Sequence, residues 1–124
     1  MQKFILLSGA VSSGLAVAIG AFGAHAMKAT LELSQRTATF ETAVKYQFYH
    51  SLGLLIIGLL MFRYQHALMN YAVWSHLAGI LLFSGSLYIL CLTNNTKWAM
   101  ITPFGGLAFI IGWILLALSI YKTA

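Results

Sequence analysis

The sequence predicts an all-α fold, a four-helix transmembrane bundle with antiparallel up-down connections, and three observations carry that reading. Four apolar runs, about 4–24, 43–62, 72–92 and 100–121, take up most of the 124 residues. Each is close to the roughly 20 residues that cross ~30 Å of hydrocarbon at ~1.5 Å per helical residue. Hydrophobic residues make up 60% of the chain and charged residues 7%, against about 25% charged in ordinary soluble domains. With a mean hydropathy of +0.86, this is more apolar surface than a soluble fold of this size can hide. The three connections are short, which favours antiparallel neighbours. Residues 1–124 form one integral membrane domain.

In the first span, Ser12, Ala16, Gly20 and Ala24 recur every four residues, with Gly9, Ser13 and Gly23 adding small positions. Small residues let helix backbones approach closely in lipid, where packing drives association. Such a face is buried within the bundle or against a second copy, so a homo-oligomer is one expected partner alongside the bilayer. Lys3 and the Ala24-His25-Ala26 triplet match a cleavable leader, but the apolar run is longer than a typical leader core, and it is read as a retained first span.

The first connection, Met27 to about Thr42, is the longest and the only one with acidic residues, Glu32 and Glu41. Ser34 or Thr37 is expected to cap a helix entering the second span, with Glu41 and Lys45 spaced i,i+4 in the favourable order. A short interfacial helix or an extension of span two is predicted there. Arg63, Tyr64, Gln65, His66 and Tyr71 mark the second connection, and Thr93 to Trp98 the third. Tyr64, Tyr71, Trp74, Trp98 and Tyr121 sit near span ends, as an aromatic belt requires, while Trp113 lies deeper as a packing residue. Pro103 opens span four harmlessly if Thr102 caps the helix, and kinks it if the helix begins nearer Lys97. The halves share no motif, so an inverted-repeat transporter is not expected.

The formal charge of +5 comes from seven basic residues scattered singly, most of them near span ends. They suit the membrane surface, and nucleic acid, which needs a clustered stripe, is not an expected partner. Lys3, Arg63 and Lys122 fall on one face and Lys28, Arg36, Lys45 and Lys97 on the other, so charge does not set the orientation. Cys91 has no partner cysteine and reads as a packing residue.

Polar groups inside spans are the default functional candidates, because lipid makes them expensive to keep. Tyr46, Gln47 and His50 share one helix surface, and antiparallel threading brings His25 to the same face, with His66 and His76 towards the other. Glu41, nine residues before His50, joins only through a helix break or a neighbouring span. His25, Glu41, Tyr46, Gln47 and His50 are therefore the ligand-binding candidates. One reading makes them interhelical glue; another makes them a site for a lipid, a quinone or a haem held axially by two histidines. No third strong ligand suggests a metal centre, and no nucleophile comes with a base and orienting acid. No catalytic residue and no cofactor is expected. With both carboxylates outside the spans, a pore or carrier would need several copies.

The segments Gly20-Ala-Phe-Gly-Ala-His25-Ala, Phe40-Glu-Thr-Ala-Val-Lys-Tyr-Gln-Phe-Tyr-His50-Ser-Leu-Gly, Leu82-Phe-Ser-Gly-Ser-Leu-Tyr88, Thr102-Pro-Phe-Gly-Gly106 and Gly112-Trp113 resemble the domain of unknown function 423 family along essentially the whole chain. The resemblance implies a small four-span protein of the bacterial inner membrane, with relatives in eukaryotes, and no assigned activity. Among its motif positions Gly20, Gly23, Gly85, Gly105 and Gly106 are read as helix-packing glycines. The function expected is a non-enzymatic structural or regulatory role in the membrane. A lipid, quinone or haem binding protein is the alternative, and a subunit of an oligomeric pore or carrier the third.

Overall fold

Hydrocarbon supplies no hydrogen-bond partners, so an apolar chain must satisfy its backbone internally, and helices do so within one segment. The computed structural model, which describes residues 1–124, contains helices and turns and no strands. Four helical stretches are long and apolar enough to cross a membrane. The first span is α1 (Gln2–Ala24), and a short helix, α2 (Lys28–Leu33), lies between it and the second span, α3 (Thr37–Leu60). The third span is built from α4 (Ala67–Gly79), a π-helical turn (Ile80–Ser84) and α5 (Gly85–Thr93). A 3₁₀ turn (Thr96–Met100) leads into the last span, α6 (Thr102–Thr123).

Helix boundaries depart from the apolar runs where a helix continues beyond the hydrocarbon. Thus α3 begins at Thr37 and carries Glu41 and Lys45 on its first turns, preceded by the short helix α2. Neither Ser34 nor Thr37 caps it: the N-cap is Arg36, without a side-chain bond, and the Ser34 hydroxyl turns back to the Thr30 carbonyl at 3.0 Å. α4 starts earlier than expected, at Ala67, because His66 Nδ1 accepts from the Leu68 N–H at 3.1 Å. Tyr71 consequently lies inside the helix. Thr102 also does not cap: it is the first residue of α6, and its hydroxyl pairs with that of Ser86 at 2.6 Å. Pro103 sits in the first turn, where a missing N–H leaves no bond unmade. Asn94 ends α5 in the left-handed region at φ 53°, a conformation asparagine tolerates.

The spans associate as two hairpins, α1 along α3 and α4 along α6, each zipped by glycines in one antiparallel register. In the first hairpin a Cβ on Gly9 would lie 2.9 Å from Leu55 and from the Ser51 carbonyl, and one on Gly58 would lie 2.7 Å from Leu6. Gly20 faces Val44, and Gly23 faces the Phe40 ring too closely for any side chain. In the second hairpin Gly79 faces the Phe109 ring, Gly112 the His76 imidazole, and Gly105 the backbone of Leu82 and Phe83 in the π-turn. The other two proposed packing glycines behave differently. Gly106 makes only ordinary contact with Phe83, and Gly85 has nothing nearer than the Ile80 carbonyl at 4.0 Å, so no neighbouring helix demands a glycine there.

Depth divides the interior into layers. The end holding the α3–α4 turn is filled by Ile5, Leu54, Ile57, Met69, Ala72, Val73 and Leu116. The other end holds a smaller cluster of Leu31, Phe40 and Cys91. Between them lie the buried polar residues Gln47, His50, Ser51, His76 and Ser84.

Candidate functional site

The mid-depth polar layer is organised by one and a half turns of α3. Gln47, His50 and Ser51 are buried, but their side chains part in two directions. Gln47 and Ser51 face α1: Gln47 Nε2 donates to the Ser12 carbonyl at 3.0 Å, and the Ser51 and Ser12 hydroxyls share a hydrogen bond of 2.6 Å. The Gln47 carbonyl oxygen, Oε1, accepts from Tyr88 on α5 at 2.6 Å. One amide thus ties three helices together, with donor and acceptor both occupied. A turn of α3 away, the Ser84 hydroxyl of the π-turn donates to the Ala43 carbonyl at 2.7 Å.

His50 faces α4 and α6. Trp113 Nε1–H donates to His50 Nε2 at 3.0 Å, and since Nε2 accepts, Nδ1 carries the proton it gives to the Tyr46 carbonyl at 2.7 Å. Phe109 stacks on the imidazole with centroids 3.5 Å apart and planes 13° from parallel. Trp113 therefore does more than pack. It is 41% exposed at the bundle surface while its N–H reaches inward to fix one tautomer of His50.

His76 is the neighbour the sequence did not place. Run boundaries alone put it towards the opposite face from His50, yet the ring centroids are 5.5 Å apart. The correction follows from the helix starts: with α3 beginning at Thr37 and α4 at Ala67, both histidines lie several turns in, at mid-depth, where antiparallel helices meet. His76 is fully buried, its Nδ1 bonds the Ala72 carbonyl at 2.8 Å, and its Nε2 has no protein partner. The ring slots between Gly53 of α3 and Gly112 of α6, with Trp113 packed edge-on at 4.8 Å.

The five candidate ligand residues do not assemble into one site. His25 is the exposed C-cap of α1, level with the outer turns of α3 through the Gly23–Phe40 contact, so it lies about 15 Å along the helix from His50. An axial pair of His25 and His50 on one haem is ruled out by that separation, and His50 Nε2 is already engaged by Trp113. Glu41 is exposed on the outer turns, away from His50. Gln47 diverges from its expected partners towards Ser12 and Tyr88. Only Tyr46 stays with His50, stacking through its ring at a centroid distance of 5.9 Å and contacting Phe83 at 4.6 Å. No group of three or more His, Cys, Asp or Glu side chains converges here or elsewhere. Sequence reading missed Ser12, Ser51, His76, Ser84 and Tyr88 as partners; their signal was polarity in the middle of a span.

Both acidic residues gather instead at the other end of the first hairpin. There α1, α2 and α3 line an open cavity of about 550 Å³, with Gly20, Gly23, Phe40 and Val44 as apolar or small lining and Lys28, Glu32, Glu41 and Lys45 as charged lining.

Four apolar spans, a buried mid-depth polar layer and charges confined to the ends define a small multi-pass protein of the cell membrane, in contact with the bilayer. The chain belongs to the family described as Protein of unknown function (DUF423), whose model matches residues 19–106. It is 45% identical to a UPF0382 membrane protein of Staphylococcus aureus over 100% of this chain and 99% of the relative. The UPF0382 membrane protein YwdK of Bacillus subtilis is 42% identical, with 98% of each chain covered. The UPF0382 inner membrane protein YgdD of Escherichia coli is 37% identical over 93% of this chain and 87% of the relative. No solved structure matches the chain.

Proposed function

We propose that this protein is a non-enzymatic structural element of the membrane that acts by self-association through α1. One observation carries the reading: α1 is the most lipid-exposed of the four spans, and its outer face is lined by Ala10, Gly14 and Ala18, all exposed and one turn apart. A Cβ on Gly14 would meet nothing within 4 Å, unlike Gly9, Gly20 and Gly23, which serve contacts with α3. The face of Ser12, Ala16 and Gly20 is occupied inside the bundle, so the outer stripe is a second and separate small-residue surface that brings two backbones close. The engagement of Gln47 and His50 in interhelical bonds supports a non-catalytic role for the polar layer.

Gly14→Cys in a Cys91→Ser background tests this. The expected outcome is a disulfide-linked dimer on mild oxidation of native membranes, and its disappearance when Ala10→Leu and Ala18→Leu are added. A monomer at every oxidant concentration overturns the proposal.

A further inference from the structure

The charged cavity at the end of the first hairpin has a neighbour deeper in the bundle. A second, mainly apolar hollow of about 190 Å³ lies next to it between α1 and α3, lined by Ala16, Val17, Phe48 and Tyr49 and sharing Val44 and Lys45 with the first. The two follow one another along a depression between α1 and α3, charged at the level of α2 and, past Lys45, apolar for about 6 Å further into the bilayer. Both carboxylates of the chain stand at its outer part, and both are exposed. Lys45 lines both the charged and the apolar part.

We propose that this depression binds a membrane lipid whose head carries a phosphate and a primary amine, the phosphoethanolamine class. The order of chemistry along the depression matches that of the molecule. An acyl chain lies in the apolar hollow beside Val17 and Phe48, and the phosphate meets Lys45, which lines both hollows. The ammonium, outermost in the lipid, reaches Glu32 and Glu41. Two lysines and two carboxylates make the mouth neutral overall, which suits a zwitterion. A purely anionic head faces two carboxylates, and a quaternary amine has no N–H to donate to them.

The test uses the full-length protein reconstituted in nanodiscs of equal phosphatidylethanolamine, phosphatidylcholine and phosphatidylglycerol, then released into mild detergent for native mass spectrometry. Wild type is expected to retain one phosphatidylethanolamine per chain, about fivefold over either other lipid. Glu32→Gln with Glu41→Gln is expected to remove that preference and raise phosphatidylglycerol. Val17→Trp, at a side chain 62% exposed to lipid, is expected to reduce retention of all three, with circular dichroism unchanged. Copy number is read in the same spectra, so loss of a dimer and loss of a lipid are separate results. Equal retention of the three lipids by wild type, preference for phosphatidylglycerol, or an unchanged preference in the double glutamine variant each overturns the proposal.

Discussion

The two halves of the polar layer answer the same problem differently. On the α1 side, Gln47 meets Ser12 and Tyr88 through hydrogen bonds that use both ends of its amide. On the α6 side, His50 and His76 are held mainly by shape: a stacked phenylalanine, an edge-on tryptophan and two glycines that leave room for a ring. One half is fixed by polar partners, and the other tolerates an unpartnered nitrogen on His76. In lipid a hydrogen bond between helices is worth roughly 0.6 kcal/mol on average and up to ~1.7, whereas overpacking a close glycine contact costs as much as a whole network.

Breaking the shape-held half at its tightest point is expected to have the largest effect. In Gly112→Leu, the Cβ alone would stand 2.5 Å from His76 Nδ1, and we expect about 3 kcal/mol of destabilisation in reversible mixed-micelle unfolding. Next is Gln47→Leu, which strands the Tyr88 hydroxyl and frees Ser12, and should lose about 2 kcal/mol in the same assay. His50→Phe follows at about 1 kcal/mol. In a background with Trp74→Phe and Trp98→Phe, it should also shift Trp113 emission to the blue as the indole N–H loses its acceptor. The smallest effect belongs to His76→Leu, which loses the bond from Nδ1 to the Ala72 carbonyl of its own helix but also removes a buried nitrogen with no partner, and should stay within about 0.5 kcal/mol of wild type. If His76→Leu proves as damaging as Gln47→Leu, the contrast between a bonded half and a packed half is wrong.

Much of the fold was legible because lipid imposes a single strong constraint. Run length alone located four spans, and the acidic, polar stretch before span two announced either a short helix or an outward extension of α3, of which the structure has both. Helix starts were harder. His66 capping α4 through its own ring looks in sequence like one more connection residue, and the resulting shift hid the meeting of His50 with His76. Direction around a helix was the other obstacle. Tyr46, Gln47 and His50 do lie on neighbouring positions of one surface, yet small angular differences send Gln47 to α1 and His50 to α6, and only the positions of the other helices decide which. Trp113 reads in sequence as filler because an indole N–H inside a span carries no sign of its acceptor. The cavity at Glu32 and Glu41 depends on α2 folding beside both α1 and α3, a relation that spacing along the chain does not contain.

The hairpin arrangement has a consequence for how the protein is made. Ser12, Gln47 and Ser51 find one another within the first two spans, so that unit can leave an insertion channel with most of its polar side chains already paired. His50, by contrast, stays without its indole partner until the last span arrives, because Trp113 is supplied from α6. Threading from the N-terminus therefore ends with a latch: the final helix delivers the donor that joins the early hairpin to the late one, and a nascent chain stalled before α6 exposes an imidazole to lipid.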